Sequence, residues 1–134
     1  MNQSFQFKVS TTSHTSLVSI TGEVKEQIRK SSVNEGVAHI FVMHTTCGLT
    51  INENADPDVV HDLLKRLDDL APWEHSSDRH GEGNSAAHLK SSILGCSLSI
   101  PIYQGNLVLG TWQGIFLGEF DGPRTRTIHM TIIG

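Results

Sequence analysis

Phe5, Phe7 and Val9 alternate with polar neighbours, and that period of two predicts a half-buried strand near the start of the chain. From Thr21 to Ser32 the pattern changes. Val24 and Ile28 fall four apart and continue the spacing of Leu17 and Ile20, with Glu23 and Glu26 early and Arg29 and Lys30 late. That spacing, with charges ordered to suit the helix dipole, predicts a helix. Asn34-Glu35-Gly36 is a turn, and Val37 to Thr46, apolar on both alternating faces, predicts an interior strand. Leu49, Ile51 and Glu53 then mark one face of a short strand.

Asp56-Pro57 is the sharpest boundary in the chain, because Asp can cap free backbone N–H groups and Pro at the first helical position loses no hydrogen bond. The helix it opens carries a stripe of Val60, Leu63, Leu64 and Leu67 and stops near Leu70, before Ala71-Pro72. Trp73 to Gly83 has no period and reads as a loop of about ten residues, long enough to suspect a function. Asn84 is placed to cap a third helix through Leu94, with Gly95 as its stop. Three strands follow, Cys96 to Ile102, Asn106 to about Phe120, and Thr125 to Ile133, with Gly105 in the hairpin and Asp121-Gly122-Pro123 in the last turn. Strands and helices mix without a strict alternation, which predicts an α+β fold over a doubly wound sheet.

The 134 residues fit one domain, 1–134, and 37% hydrophobic residues suffice for a core without disulfides. A net charge of -4 and a pI near 6.0 supply no positive field for a phosphate backbone, so nucleic acid is not expected as a partner. Two cysteines, Cys47 and Cys96, make neither a disulfide framework nor a zinc knuckle. The first residues lack a basic and apolar leader, and no apolar run approaches the ~18 residues of a membrane span. A cytoplasmic protein with no membrane association is expected.

His44 stands where an interior strand meets the Gly48 turn, on the face of Ile40 and Val42. It is either a histidine satisfied by backbone at the core edge or a site residue. The loop around Asp78 and His80 is dense in metal-ligand residue types, and His88 follows on the third helix beside Asn84, Ser91 and Ser92, with Ala86, Leu89 and Ile93 on the other side. None of the spacings is the i, i+4 His pair of a helical zinc motif, and His75 and His80 also fit as solvated loop residues. In the long strand Thr111, Gln113 and Glu119 point one way and Trp112 and Phe116 the other. Trp112 suits core or subunit contact as well as a site, whereas Gln113 and Glu119 are costly to bury without partners. Arg124 and Arg126 flank a turn, and a guanidinium binds phosphate or carboxylate bidentately; for Arg126 a surface ion pair is the plainer reading. Cys47 is a small buried hydrophobe or a nucleophile.

HTTCGLTINENADPDV at 44–59, NSAAHLKSSILG at 84–95 and GTWQGIFLGEFDGPRTR at 110–126 together resemble the YjbQ family, often labelled secondary thiamine-phosphate synthase. The resemblance spans essentially the whole chain. It implies an α+β, sandwich-like subunit of mixed or antiparallel sheet with about three helices, assembled as a homotrimer with polar clefts near subunit boundaries. It implies a reaction joining a pyrimidine-methyl diphosphate to a thiazole phosphate. By that resemblance Glu53, Asp78 and Glu119 are candidate catalytic groups able to hold Mg²⁺ or face a developing cation. Thr45, Thr46, Asn52, Trp112, Gln113 and Arg124 are candidate substrate contacts. Two alternatives stand beside it: a metal-binding protein or metal-dependent hydrolase holding Zn²⁺, Ni²⁺ or copper on His44, His80 and His88, and a trimer that binds a small phosphorylated metabolite without catalysis.

Overall fold

A computed structural model describes residues 2–134 as eight strands and three helices. In chain order these are β1 (Gln3–Ser10), β2 (Ser16–Ser19), α1 (Thr21–Ser31), β3 (Gly36–Val42), β4 (Cys47–Glu53), α2 (Pro57–Leu70), α3 (Ser85–Leu94), β5 (Ser97–Tyr103), β6 (Asn106–Leu107), β7 (Gln113–Glu119) and β8 (Thr125–Ile133). The fold is α+β. Five strands form one sheet in the order β1-β8-β3-β5-β6, and three form a second in the order β2-β7-β4. Every pairing is antiparallel. Among the described residues no helix is long and apolar enough to cross a membrane.

One core lies between the sheets. Ala38, Ile40 and Val42 of β3, Ile100 and Ile102 of β5, and Ile128, Met130 and Ile132 of β8 meet Leu49 of β4 and Ile115 and Leu117 of β7. Ile20, Val24 and Ile28 bring α1 against the same core, as their spacing predicts. Helix α3 packs on the far side of β4. Its approach requires glycine at position 48, where a Cβ would stand 2.8 Å from the Gly95 carbonyl oxygen and 2.9 Å from Leu94 Cβ.

Several sequence readings hold to within a residue or two. Asp56 caps α2, accepting the Asp58 N–H at 2.9 Å, with Pro57 opening the helix. The β5–β6 turn places Gln104 and Gly105 at φ 51 and 78, the left-handed region a two-residue hairpin demands.

Others change, mostly where the chain switches sheets. β3 ends at Val42, not Thr46, because residues 43–46 cross from the large sheet to the small one. His44 therefore leaves the face of Ile40 and Val42. β3 is also buried on one face only, with Val37 and Phe41 more than a third exposed. The strand expected from Asn106 to Phe120 breaks for the same reason. β6 belongs to the large sheet and β7 to the small one, and a turn between them is closed by Gly110 N–H donating to Gln113 Oε1 at 2.7 Å. Leu17 is not part of the α1 stripe but of the edge strand β2, paired with Gly118.

Helix α3 is turned relative to its apolar pattern. Leu89 and Ile93 are each 50% exposed, while Ala87, Lys90 and Ser91 are buried. Specific partners make that possible: Ser91 Oγ donates to the Cys47 carbonyl at 2.7 Å, and Lys90 pairs with Asp68 of α2 beneath the Phe120 ring. The α2 stripe is only half-covered, and the helix buries no residue fully within the chain.

Candidate functional site

The β7–β8 turn and the β3–β4 link meet at one end of the small sheet, and a buried ion pair holds them together. Arg126 and Glu119 are 3% and 0% exposed. Arg126 Nε donates to Glu119 Oε1 at 2.8 Å, and its Nη2 donates to the other carboxylate oxygen, to Thr46 Oγ1 at 2.8 Å and to the Thr46 carbonyl at 3.2 Å. Thr11 Oγ1 and the Asp121 N–H also donate to Glu119. Burial works to raise the Glu119 pKa, but Arg126, Asp121 N–H and Thr11 together hold it below the usual carboxylate value. The surface ion pair expected for Arg126 is instead a desolvated clamp across two segments.

Above the clamp His44 is held by the next residue of β8: Thr127 N–H donates to His44 Nε2 at 2.8 Å. Burial, then the nearby charge of Arg126 and also of Arg124, lowers the His44 pKa against an opposing pull from Glu119. Asp121 ties in the opposite wall, accepting from Asn84 Nδ2 at 2.9 Å and from Arg124 Nη2 at 3.0 Å. Asn84 stands at the N-cap position of α3 but makes no capping bond with its side chain. Its nitrogen is committed to Asp121, which leaves Oδ1 buried without a partner. The turn needs Gly122, since a Cβ there would collide with the Ser13 carbonyl.

These segments enclose a cavity of about 430 Å³ lined by Met43, His44, Thr45, Thr46, His80, Glu82, Asn84, His88, Asp121, Arg124 and Arg126. Six candidates from the sequence converge here: His44, Thr45, Thr46, His80, His88 and Arg124. The rings of His80 and His88 lie edge to face, 5.4 Å between centroids. Asp121 and Glu82 join them without having been singled out by the sequence, and Asn84 and Arg126, read chiefly as a helix cap and an ion-pair residue, also line the cavity. Asp121 and Arg126 sit in the DGPRTR segment, which a turn flanked by charges marks, but burial at its base is a tertiary outcome.

The remaining candidates lie elsewhere. Asp78 lines a neighbouring cavity of about 410 Å³ with Pro72, His75, Ala86 and Leu89, on the other side of the first turn of α3. Glu119 lies outside the lining of the main cavity, with its carboxylate accepting from four donors. Asn52, Glu53, Trp112 and Gln113 are at the opposite end of the small sheet. In the β4–β7 ladder Cys47 pairs with Glu119 and Glu53 with Gln113, so the two ends stand about 20 Å apart at the usual strand rise. There Glu53 and the 64% exposed Trp112 line a separate groove with Asp56 and Pro57, and Glu53 Oε2 accepts the Ala55 N–H.

A transition-metal centre on His44, His80 and His88 does not match this arrangement. Among the described residues no group of three or more His, Cys, Asp or Glu is gathered to hold a metal ion. The lone pair on His44 Nε2 is already taken by Thr127. Cys47 is no better a nucleophile: it is buried, and burial pushes its thiol up to about 11.

Fold and cavity define an antiparallel α+β sandwich with a donor-lined cleft at one end of its smaller sheet. The chain belongs to the UPF0047 family: the family model described as UPF0047 protein YjbQ-like matches residues 5–134. It is 50% identical over 127 residues to the UPF0047 protein YugU of Bacillus subtilis, covering 95% of this chain and 96% of that one. It is also 50% identical over 132 residues to the UPF0047 protein MJ1081 of Methanocaldococcus jannaschii, covering 97% and 94%. The crystal structure of an uncharacterised YjbQ/UPF0047 protein from Clostridium acetobutylicum superposes with a TM-score of 0.93 at 46% identity, over 96% of this chain and 99% of that one. A YbjQ-like protein of unknown function from Sulfolobus solfataricus P2 superposes at 0.95 with 35% identity, over 100% and 98%.

Proposed function

We propose that the protein is a transferase of the thiamine-phosphate-synthase type, acting on phosphorylated metabolites in the His44–Arg124–Arg126 cleft. The observation that carries this reading is the cleft's wealth of hydrogen-bond donors: two guanidiniums, three imidazoles and two threonine hydroxyls line about 430 Å³. Such a wall suits phosphate oxygens. In the reaction the thiazole nitrogen forms a bond to the pyrimidine's methylene carbon as the bond from that carbon to the diphosphate breaks, and pyrophosphate departs with the electron pair. Arg124 and Arg126 stabilise the departing charge.

Mg²⁺ is ordinarily held by one or two carboxylates plus substrate phosphates, and Glu82, which lines the cleft without an ion-pair partner among the described residues, fits that role. Bound there, the cation would offset charge on the leaving diphosphate. Asn52, Glu53, Trp112 and Gln113 stand at the far end of the ladder within the same subunit. The test is a comparison of variants. Arg124→Ala and His88→Ala should each lower thiamine phosphate formation about tenfold or more while the fold is kept. Turnover equal to the parent in both would remove the reaction from this cleft.

The half-covered α2 stripe and the exposed Leu70, Leu89 and Ile93 supply an apolar surface that supports a homotrimer. Light scattering should then give three times 14.7 kDa.

A further inference from the structure

His44 carries more information than its position. A backbone N–H can only donate, so the Thr127 bond fixes the lone pair on His44 Nε2. The proton of the neutral ring is then on Nδ1. Charging the ring would set two N–H groups head to head, and burial with Arg126 and Arg124 nearby already disfavours the cation. His44 is left with a single free group, a donor, and Nδ1 has no partner among the described residues.

Two further donors beside it are also unspent. Arg126 uses Nε and Nη2 on Glu119 and Thr46, while Nη1 makes no hydrogen bond among the described residues although Arg126 is 3% exposed and lines the cleft. Thr46 Oγ1 accepts from Arg126, so its own O–H remains to be given. None of the three groups is paired with a carboxylate: Glu119 below serves four other donors, and Asp121 opposite takes Asn84 and Arg124 on Oδ2.

We infer that His44 Nδ1–H, Thr46 Oγ1–H and Arg126 Nη1 form a fixed cradle for a phosphate or diphosphate group, with His44 an obligate donor and neither a metal ligand nor a general base. The inference rests on the cleft being the site for a phosphorylated metabolite, and specifies how it grips that group. Three donors match the three free oxygens of a terminal phosphoryl group, where a carboxylate offers two. Glu119 sets Arg126, and Thr127 sets His44, so the donors are oriented before the ligand arrives.

The test uses inorganic pyrophosphate in EDTA, with malonate as the carboxylate control. Nitrogen-15 spectra of the histidine rings should show His44 neutral with the proton on Nδ1 at neutral pH, and pyrophosphate should shift that Nδ1 without moving the proton. Glutamine at 44 keeps an acceptor near the Nε2 position and asparagine keeps a donor near Nδ1. His44→Gln should therefore weaken pyrophosphate binding by about tenfold or more, and His44→Asn by clearly less. A proton on Nε2, equal losses in both variants, malonate binding as tightly as pyrophosphate, or Zn²⁺ binding that requires His44 would each overturn the cradle. Pyrophosphate bound as described with no thiamine phosphate formed would sink the transferase alone. Product formed without pyrophosphate binding would sink the cradle alone.

Discussion

Glu119 and Arg126 face one another across the β7–β8 hairpin with almost no solvent contact, and through them the β3–β4 link is fastened to the rest of the cleft. Removing one charge strands the other in a dry interior. Glu119→Ala should cost about 3–5 kcal/mol of unfolding free energy in urea, whereas the double replacement Glu119→Met with Arg126→Met should cost much less than the sum of the single ones. A loss under about 1 kcal/mol for Glu119→Ala would mean that the pair is hydrated.

Stability should fall with acid in two stages. His44 has its folded pKa below the ordinary 6.5, so the unfolded chain takes up a proton first as the pH drops. Its contribution is complete above about 6.5 and is lost as the pH falls toward the folded value. Glu119 and Asp121, also held low, contribute above the ordinary carboxylate range and lose that contribution at more acid pH. Urea midpoints from pH 8 to about pH 2 should show both stages, and His44→Gln should flatten the first. A parent protein that gains stability between pH 7 and pH 5 would contradict this.

Lys90 on α3 is 2% exposed, paired with Asp68 of α2 and 5.7 Å from the centroid of Phe120. Its stem fills space as much as its charge finds a partner. Lys90→Met should leave the urea midpoint within the equivalent of about 1 kcal/mol, while Lys90→Ala, which empties the site, should cost about 2 kcal/mol or more.

The sequence foresaw elements whose signals are local. Asp56-Pro57 marks the start of α2 by capping chemistry alone, and β8 alternates strictly from Thr125 to Ile133. What it could not show is which sheet a strand joins. The ends of β3 and β7 are set by crossings between sheets, so His44 and Trp112 read as strand residues until the tertiary structure releases them. Lys90 and Ser91 hide the inner face of α3 for a related reason: they are polar residues buried by partners distant in the chain. The family resemblance gathers the candidate residues from separate motifs into one constellation, and His44 and Glu53 share the first of those motifs. The seven-residue length of β4 then carries Glu53 away from His44.

In the proposed homotrimer the exposed Leu89 and Ile93 should lie in the contact between copies. Leu89→Asp with Ile93→Asp should shift the assembly to smaller species by light scattering, with the helical circular dichroism kept. An unchanged trimer would place the contact on another face.

The most direct measurement is the mass balance of the wild-type protein supplied with the pyrimidine-methyl diphosphate, the thiazole phosphate and Mg²⁺. Equal amounts of thiamine phosphate and pyrophosphate, both formed about tenfold or more slowly in Arg124→Ala, are the result expected. No thiamine phosphate from the wild-type protein, with both precursors present and the fold intact, would contradict the account.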